Sequence, residues 1–250
     1  MSDIEKNLQQ VQEQVEIAAA RAGRDPREIT LVAVSKTFPA DAILAAHALG
    51  VRHFGENRVE EAADKIPLVN QQLPNHPSAS LRTGPTTQPP NITWHLVGHL
   101  QSRKVKDAAA LFDFVQSVDS VSLARRLSDR AGALGKTLPI LLEVNVSGEA
   151  SKYGFAPDPR DAFFAAVKEI LTMPRLDVQG LMTVAPIVTD TDAARPHFRA
   201  LRELRDALRA QFPERAWQHL SMGMTDDFEA AIAEGATIVR LGRAIFGERK

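Results

Sequence analysis

Apolar positions along this chain follow two periods. Ile4, Leu8, Val11, Val15 and Ala18 or Ala19 recur at three-to-four spacing. That spacing predicts an amphipathic helix over residues 3–22, and Gly23 supplies its C-terminal stop. Beyond it, short apolar runs alternate with helical stretches. Strands are predicted at 30–35, 51–55, 93–97, 113–118, 139–146, 177–183, 216–221 and 237–241. Helices are predicted between them at 39–49, 57–70, 101–110, 120–135, 158–172, 191–211 and 226–234.

Eight strands alternating with helices predict an α/β fold: a single (β/α)8 TIM barrel over residues 1–250, with the first helix as an N-terminal addition. An open doubly wound sheet is the competing architecture, because counting strands does not establish closure. In the helix at 191–211, Phe198, Leu201, Leu204 and Leu208 form the buried stripe, and Arg199, Arg202, Arg205 and Arg209 face elsewhere. Such a row can bind nucleic acid, but the interspersed Glu203 and Asp206 favour a solvated face. Residues 71–92 break the pattern: five prolines stand among Ser, Thr, Gln and Asn, as in a flexible surface insertion within one domain.

Composition narrows the function classes. Thirty basic residues against 31 acidic ones leave a net charge of −1, so no global field draws nucleic acid or an anionic membrane. No apolar run approaches the roughly 18 residues of a membrane span. The polar N-terminus reads as neither signal nor transit peptide. The absence of cysteine excludes disulfides and thiolate metal sites. A cytoplasmic protein is expected.

In a closed barrel, chemistry belongs at the carboxyl ends of the strands. The first strand ends in Ser35-Lys36, the second in Gly55-Glu56-Asn57-Arg58, and the third in His95-Leu96-Val97-Gly98. The fifth ends in Asn145-Val146-Ser147 and the sixth in Met182-Thr183, the seventh in Ser221-Met222-Gly223, and the eighth in Arg240-Leu241-Gly242-Arg243. Small residues after strands seven and eight offer backbone N–H groups and a hydroxyl to a phosphate, although strand-end glycines also serve simply as turns. Lys36 either snorkels into water or is partly desolvated, which favours the neutral amine that attacks an aldehyde. With a phosphate cup across the mouth, the ligand indicated carries both aldehyde and phosphate: pyridoxal 5′-phosphate (PLP) first, an aldolase's sugar phosphate second. Arg240 lies two residues before Gly242 and so points into the mouth. There it would donate to a ring nitrogen or pair with Asp226 or Glu56. Because arginine stays protonated, a pyridine nitrogen facing it stays unprotonated, which weakens the ring as an electron sink.

Other motifs carry less. RLGRAIFG lacks the dinucleotide pattern, and Lys36 lacks the glycines of a phosphate-binding loop. His95 and His99 have zinc spacing only on a helix, so no metal site is expected, but His95 is a candidate to face the mouth. Asp226 and Asp227 begin a helix, where capping is the expected role.

The blocks AVSKTFP (33–39), HFGENRVEE (53–61), WHLVGHLQSRKVK (94–106), EVNVSGEASKYGF (143–155), GLMTV (180–184) and LSMGMTDDFEAAIAEGATIVRLGRAIFG (220–247) occur in order over nearly the whole chain. They resemble the YggS/PROSC family of pyridoxal phosphate homeostasis proteins, which are similar to the barrel domain of alanine racemase (the fold type III PLP barrel) without its second domain. The resemblance implies Lys36 as the Schiff-base lysine. It also implies Ser221, Gly242 and Arg243 around the phosphate, Arg240 at the pyridine nitrogen and Asn57 beside the ring. It implies a non-catalytic carrier or buffer of intracellular PLP, for which apo PLP-dependent enzymes are candidate partners; a monomer is expected because no exposed apolar stripe is evident. The alternative is a racemase or decarboxylase of the same fold. Such a racemase takes a tyrosine base from its extra domain, and this chain has only Tyr153. Two features depart from the family: the insertion at 71–92 is long and proline-rich, and position 243 is Arg where a small residue is more usual.

Overall fold

The computed structural model describes residues 2–73, 92–186 and 191–248. Helix α1 (Asp3–Arg21) leads the chain, held by a capping box in which Ser2 and Glu5 exchange hydrogen bonds. Eight strands follow: β1 (Thr30–Val34), β2 (His53–Glu56), β3 (Thr93–Leu96), β4 (Phe114–Val118), β5 (Leu138–Glu143), β6 (Leu176–Met182), β7 (His219–Ser221) and β8 (Ile238–Leu241). After them in turn come α2 (Ala40–Ala48), α3 (Val59–Gln72), α4 (Val105–Leu111), α5 (Val121–Ala133), α6 (Arg160–Leu171), α7 (Arg195–Gln211), α8 (Phe228–Ala233) and the single turn α9 (Arg243–Phe246). The strands form a closed barrel in chain order, and every pairing, including β8 with β1, is parallel. The open-sheet alternative is thereby removed. The insertion expected at 71–92 lies, from 74 to 91, outside the described residues; Leu73 and Ile92, which flank it, are buried in the core.

Strand alternation builds two apolar layers. Outward-facing Ala33, Phe54, Trp94, Val115, Ile140, Leu142, Leu220 and Val239 pack with the helices into the main core. Inside, Val32, Phe114, Leu141, Met182 and Ile238 form a smaller cluster. Two residues further along their strands, the inward positions turn polar: Phe114 is succeeded by Gln116, Leu141 by Glu143 and Ile238 by Arg240, all buried. The barrel interior thus sets this apolar cluster beside buried polar side chains.

Helix α1 covers the side where the barrel closes. Its stripe of Leu8, Val11, Val15, Ala18 and Ala19 is buried. The Asn7 amide donates to the Ile245 carbonyl at 3.1 Å. The Arg24 guanidinium donates to the carbonyls of Ile232 (3.0 Å) and Ala236 (2.7 Å) at the end of α8, where a cation complements the helix dipole.

The arginine row of α7 is not simply a solvated face. Arg195, Arg199 and Arg202 converge on Glu234, at 3.2, 3.0 and 2.9 Å, and Glu234 is only 2% exposed. Burial raises the Glu234 carboxyl, but the three guanidiniums outweigh it and hold the group below the ordinary glutamate range. A depressed acid stabilises the fold above its unfolded pKa, and that contribution is lost as pH falls through the folded value. Glu234→Gln is therefore expected to destabilise the protein by roughly 1–3 kcal/mol at neutral pH. In chemical denaturation as a function of pH, the difference from wild type should shrink below about pH 4; a pH-independent difference would contradict the assignment.

Candidate functional site

Lys36 sits half-buried in the turn that leaves β1. The turn closes through a 3.1 Å bond from the Phe38 amide to the Ser35 carbonyl. Thr37 is held at φ 70, a left-handed conformation that costs a β-branched residue of order 1–3 kcal/mol. Because β8 pairs with β1, with Val32 opposite Arg240 and Ala33 opposite Leu241, the loop after β8 lies directly beside this turn. A Cβ on Gly242 would sit 3.1 Å from the Val34 carbonyl oxygen, and the rings of Phe38 and Phe246 meet at 5.1 Å. The loops after β7 and β8, expected to lie across the mouth from Lys36, are instead on the strands next to it, a consequence of closure.

The loops after β7 and β8 are tied together. The Arg240 amide donates to the Gly223 carbonyl (3.0 Å), and the Ala244 amide donates to the Thr225 hydroxyl (3.4 Å). Gly223 has φ 93, and a Cβ there would lie 2.7 Å from that of Ala231, so only glycine lets the β7 loop turn against α8. Arg243, expected beside the phosphate, turns its side chain outward to Asp226 (2.5 Å) and Glu248 (3.3 Å). Asn57 lies half-buried at the end of β2. A Cβ on Gly98 would come within 2.4 Å of its carbonyl oxygen, so the β3 loop packs directly onto Asn57.

Inside, Arg240 is 4% exposed. One terminal nitrogen donates to the Ser221 hydroxyl (2.6 Å) and the other to the Thr183 carbonyl (2.8 Å). The carboxylates acting on it are Glu143 and Asp227, and burial lowers its pKa to about 10, which leaves it charged at neutral pH. The partners expected for it are engaged elsewhere: Asp226 with Arg243, Glu56 with Lys65 and the Ser35 hydroxyl. Asp227 occupies the N-cap position of α8 without capping it. Its carboxylate accepts the Met224 amide at 2.6 Å and braces the β7 loop.

An arginine only donates, so it orients everything bonded beyond it. Ser221 accepts from Arg240 and donates to the Gln116 carbonyl oxygen at 2.6 Å. The Gln116 amide nitrogen then donates to His95 Nδ1 at 2.9 Å. That leaves His95 Nε2 as the donor toward His53 Nδ1 at 3.0 Å. Burial and neighbouring histidines push both imidazoles below the ordinary range, which suits the neutral tautomers the chain requires. His95, a candidate for the mouth, instead faces the barrel interior. Gln116, Glu143 and Thr183 were not singled out as site residues. A polar residue at an inward position of an otherwise apolar strand was the available signal. The fifth strand ends at Glu143, not Asn145; Asn145 instead shapes the following loop, bonding to Glu149, Ser147 and Gly148.

Glu143, 8% exposed with one carboxylate oxygen unpartnered, lines a cavity of about 190 Å³ with Asn145, Ser151, Lys152, Tyr153 and Val184. The Tyr153 ring lies flat on His99, with centroids 3.5 Å apart.

The family model of the alanine racemase N-terminal domain matches residues 6–250. The chain belongs to this family. The pyridoxal phosphate homeostasis protein of Pseudomonas aeruginosa is 42% identical over 249 residues, covering 100% of this chain and 97% of that protein. The protein of the same description from Escherichia coli K12 is 42% identical over 253 residues, covering 100% and 98%. PipY of Synechococcus elongatus, solved with PLP bound, superposes with a TM-score of 0.77 at 35% identity, covering 94% of this chain and 100% of that one. The resemblance to pyridoxal phosphate homeostasis proteins thus extends over the whole chain, and PipY shares its barrel.

Burial, with a smaller contribution from Asp119, raises the Glu143 carboxyl to about 7 against the attraction of Arg240. An acid whose pKa is raised on folding costs no stability below its unfolded value. The cost grows as pH climbs from about 4.3 and is complete above the folded value. Glu143→Gln should therefore unfold at the wild-type temperature near pH 4 and be more stable by roughly 3–4 kcal/mol at pH 8. Thermal unfolding across that range measures it, and equal stability at pH 8 would show that Glu143 carries no such penalty.

Proposed function

We propose that this protein binds PLP as a Schiff base on Lys36 and serves intracellular PLP homeostasis as a carrier or buffer, not as a catalyst. The observation that carries this is the donor set of one barrel mouth. A strand-end amine stands beside two loops laced together around Gly223 and Gly242, with a buried guanidinium on the adjoining strand. Those groups fit a ligand that has an aldehyde, a phosphate and an aromatic nitrogen, and a 35% identical family member was solved with that ligand bound.

When bound, PLP supplies an electrophilic aldehyde and a pyridine ring able to accept electrons. Lys36 provides the amine that retains it. The backbone N–H groups of the β7 and β8 loops, at Gly242 and Arg243 among others, receive the phosphate. Asn57 flanks the ring. Arg240 would offer an N–H to the ring nitrogen; with its pKa lowered only to about 10, it would not surrender that proton at neutral pH. A ring nitrogen kept unprotonated draws electrons weakly, which favours retention over amino-acid chemistry. Ser221 acts through Arg240, since its hydroxyl is engaged by Arg240 and Gln116. Apo-enzymes that require PLP are the acceptors such a carrier implies, and the protein is taken to act as a monomer in the cytoplasm.

Borohydride reduction of the PLP-loaded protein followed by peptide mapping should place the label on Lys36, and Lys36→Ala should lose the visible absorption band. A retained band with reducible cofactor would reassign the lysine. Ser221→Ala should weaken PLP retention about tenfold through a loosened Arg240 while leaving the far-UV spectrum intact; unchanged affinity would remove Ser221 from the site. Turnover across a panel of amino acids would move the protein to the racemase or decarboxylase class.

A further inference from the structure

The two residues flanking Lys36 are held by a charged cluster rooted in α3. Lys65 is 7% exposed, and its ammonium directs bonds to three acceptors: the Ser35 carbonyl (2.8 Å), Glu56 Oε1 (2.8 Å) and Glu61 Oε1 (2.8 Å). An ammonium has three donors, so all are used. Glu56, fully buried, also accepts the Ser35 hydroxyl at 2.7 Å. Glu61 accepts the amide of Thr37. Both neighbours of Lys36 are therefore pinned to one lysine, Ser35 through its carbonyl and Thr37 through Glu61. The pinned segment includes the positive-φ residue Thr37, a conformation that persists only where its surroundings over-determine it.

We infer that Lys65 and Glu61 are positioning residues for Lys36: the cluster imposes the left-handed turn at Thr37 and so aims the Lys36 amine into the barrel mouth. The inference rests on Lys36 being the PLP lysine. Lys65 does not touch the ligand site; it acts through the backbone on either side of Lys36. A guanidinium would not substitute, because its planar fork does not match three acceptors arranged around a point charge.

The test uses Glu61→Ala and Glu61→Gln in the full-length protein. Glu61 is only partly buried, and both variants leave the Lys65–Glu56 pair in place. Three readouts separate positioning from general damage: hydrogen exchange at the Thr37 amide without cofactor, the rate of covalent capture of PLP at Lys36, and the affinity for pyridoxine 5′-phosphate. The last has ring and phosphate but no aldehyde. Glu61→Ala should accelerate Thr37 exchange and slow capture, each about tenfold, with pyridoxine 5′-phosphate affinity unchanged. Glu61→Gln, which keeps an acceptor oxygen, should restore most of both. Wild-type exchange and capture in Glu61→Ala overturn the inference, as does an equal loss of pyridoxine 5′-phosphate binding. If wild-type protein captures no PLP at Lys36, the cofactor assignment itself fails and this inference with it; that outcome is distinguishable, because Thr37 exchange is read on the protein alone.

Discussion

Where Leu241 of β8 pairs with Ala33 of β1, the sheet closes on itself, and the other functional placements depend on that contact. Parallel closure collects every strand-to-helix loop at one end. It sets Lys36 beside Gly242 and encloses a lumen of buried side chains. Helix α1 braces the same seam through Asn7 and Arg24. The charge of Arg240 then has to be accommodated in a medium where an unpaired ion is expensive. Ser221, Thr183 and the field of Glu143 and Asp227 meet that demand.

Satisfying one donor-only residue propagates. Ser221 has a single proton, and once it accepts from Arg240 that proton goes to Gln116; Gln116 then selects the tautomer of His95, and His95 that of His53. The lumen is in effect one oriented hydrogen-bonded assembly laid against the apolar cluster of Val32, Phe114 and Ile238. Such a network resists rearrangement because breaking any link strands a buried polar group. A ligand at the mouth therefore meets a guanidinium whose direction is already set.

The mouth combines this rigidity with local strain. Thr37 is held left-handed beside Lys36, while the loops after β7 and β8 are cross-tied through Gly223, Thr225 and Ala244. Closure thus places a strand-end amine and two cross-tied glycine loops in fixed relation on neighbouring strand ends.

Periodicity alone determined the element order, because burial of one face imposes a spacing of two on strands and of 3.6 on helices. The strand-end positions of Lys36 and Arg240 were legible as well: a cation at the end of an apolar strand is conspicuous within a few residues. Where β5 ends was not legible, since Glu143 continues an apolar run into a loop shaped by Asn145. Neither were the hydrogen-bond partners of Arg240, which come from β7 and from the residue after β6 and not from Asp226 or Glu56. Glu234 beneath the α7 arginines and Lys65 beneath Lys36 were hidden for the same reason: each is an ordinary charge on a helix until the fold brings its partners to it. Spacing along a chain records which face of an element is buried. Which residues meet inside a closed barrel depends on strand order, register and closure, and those belong to the tertiary structure alone.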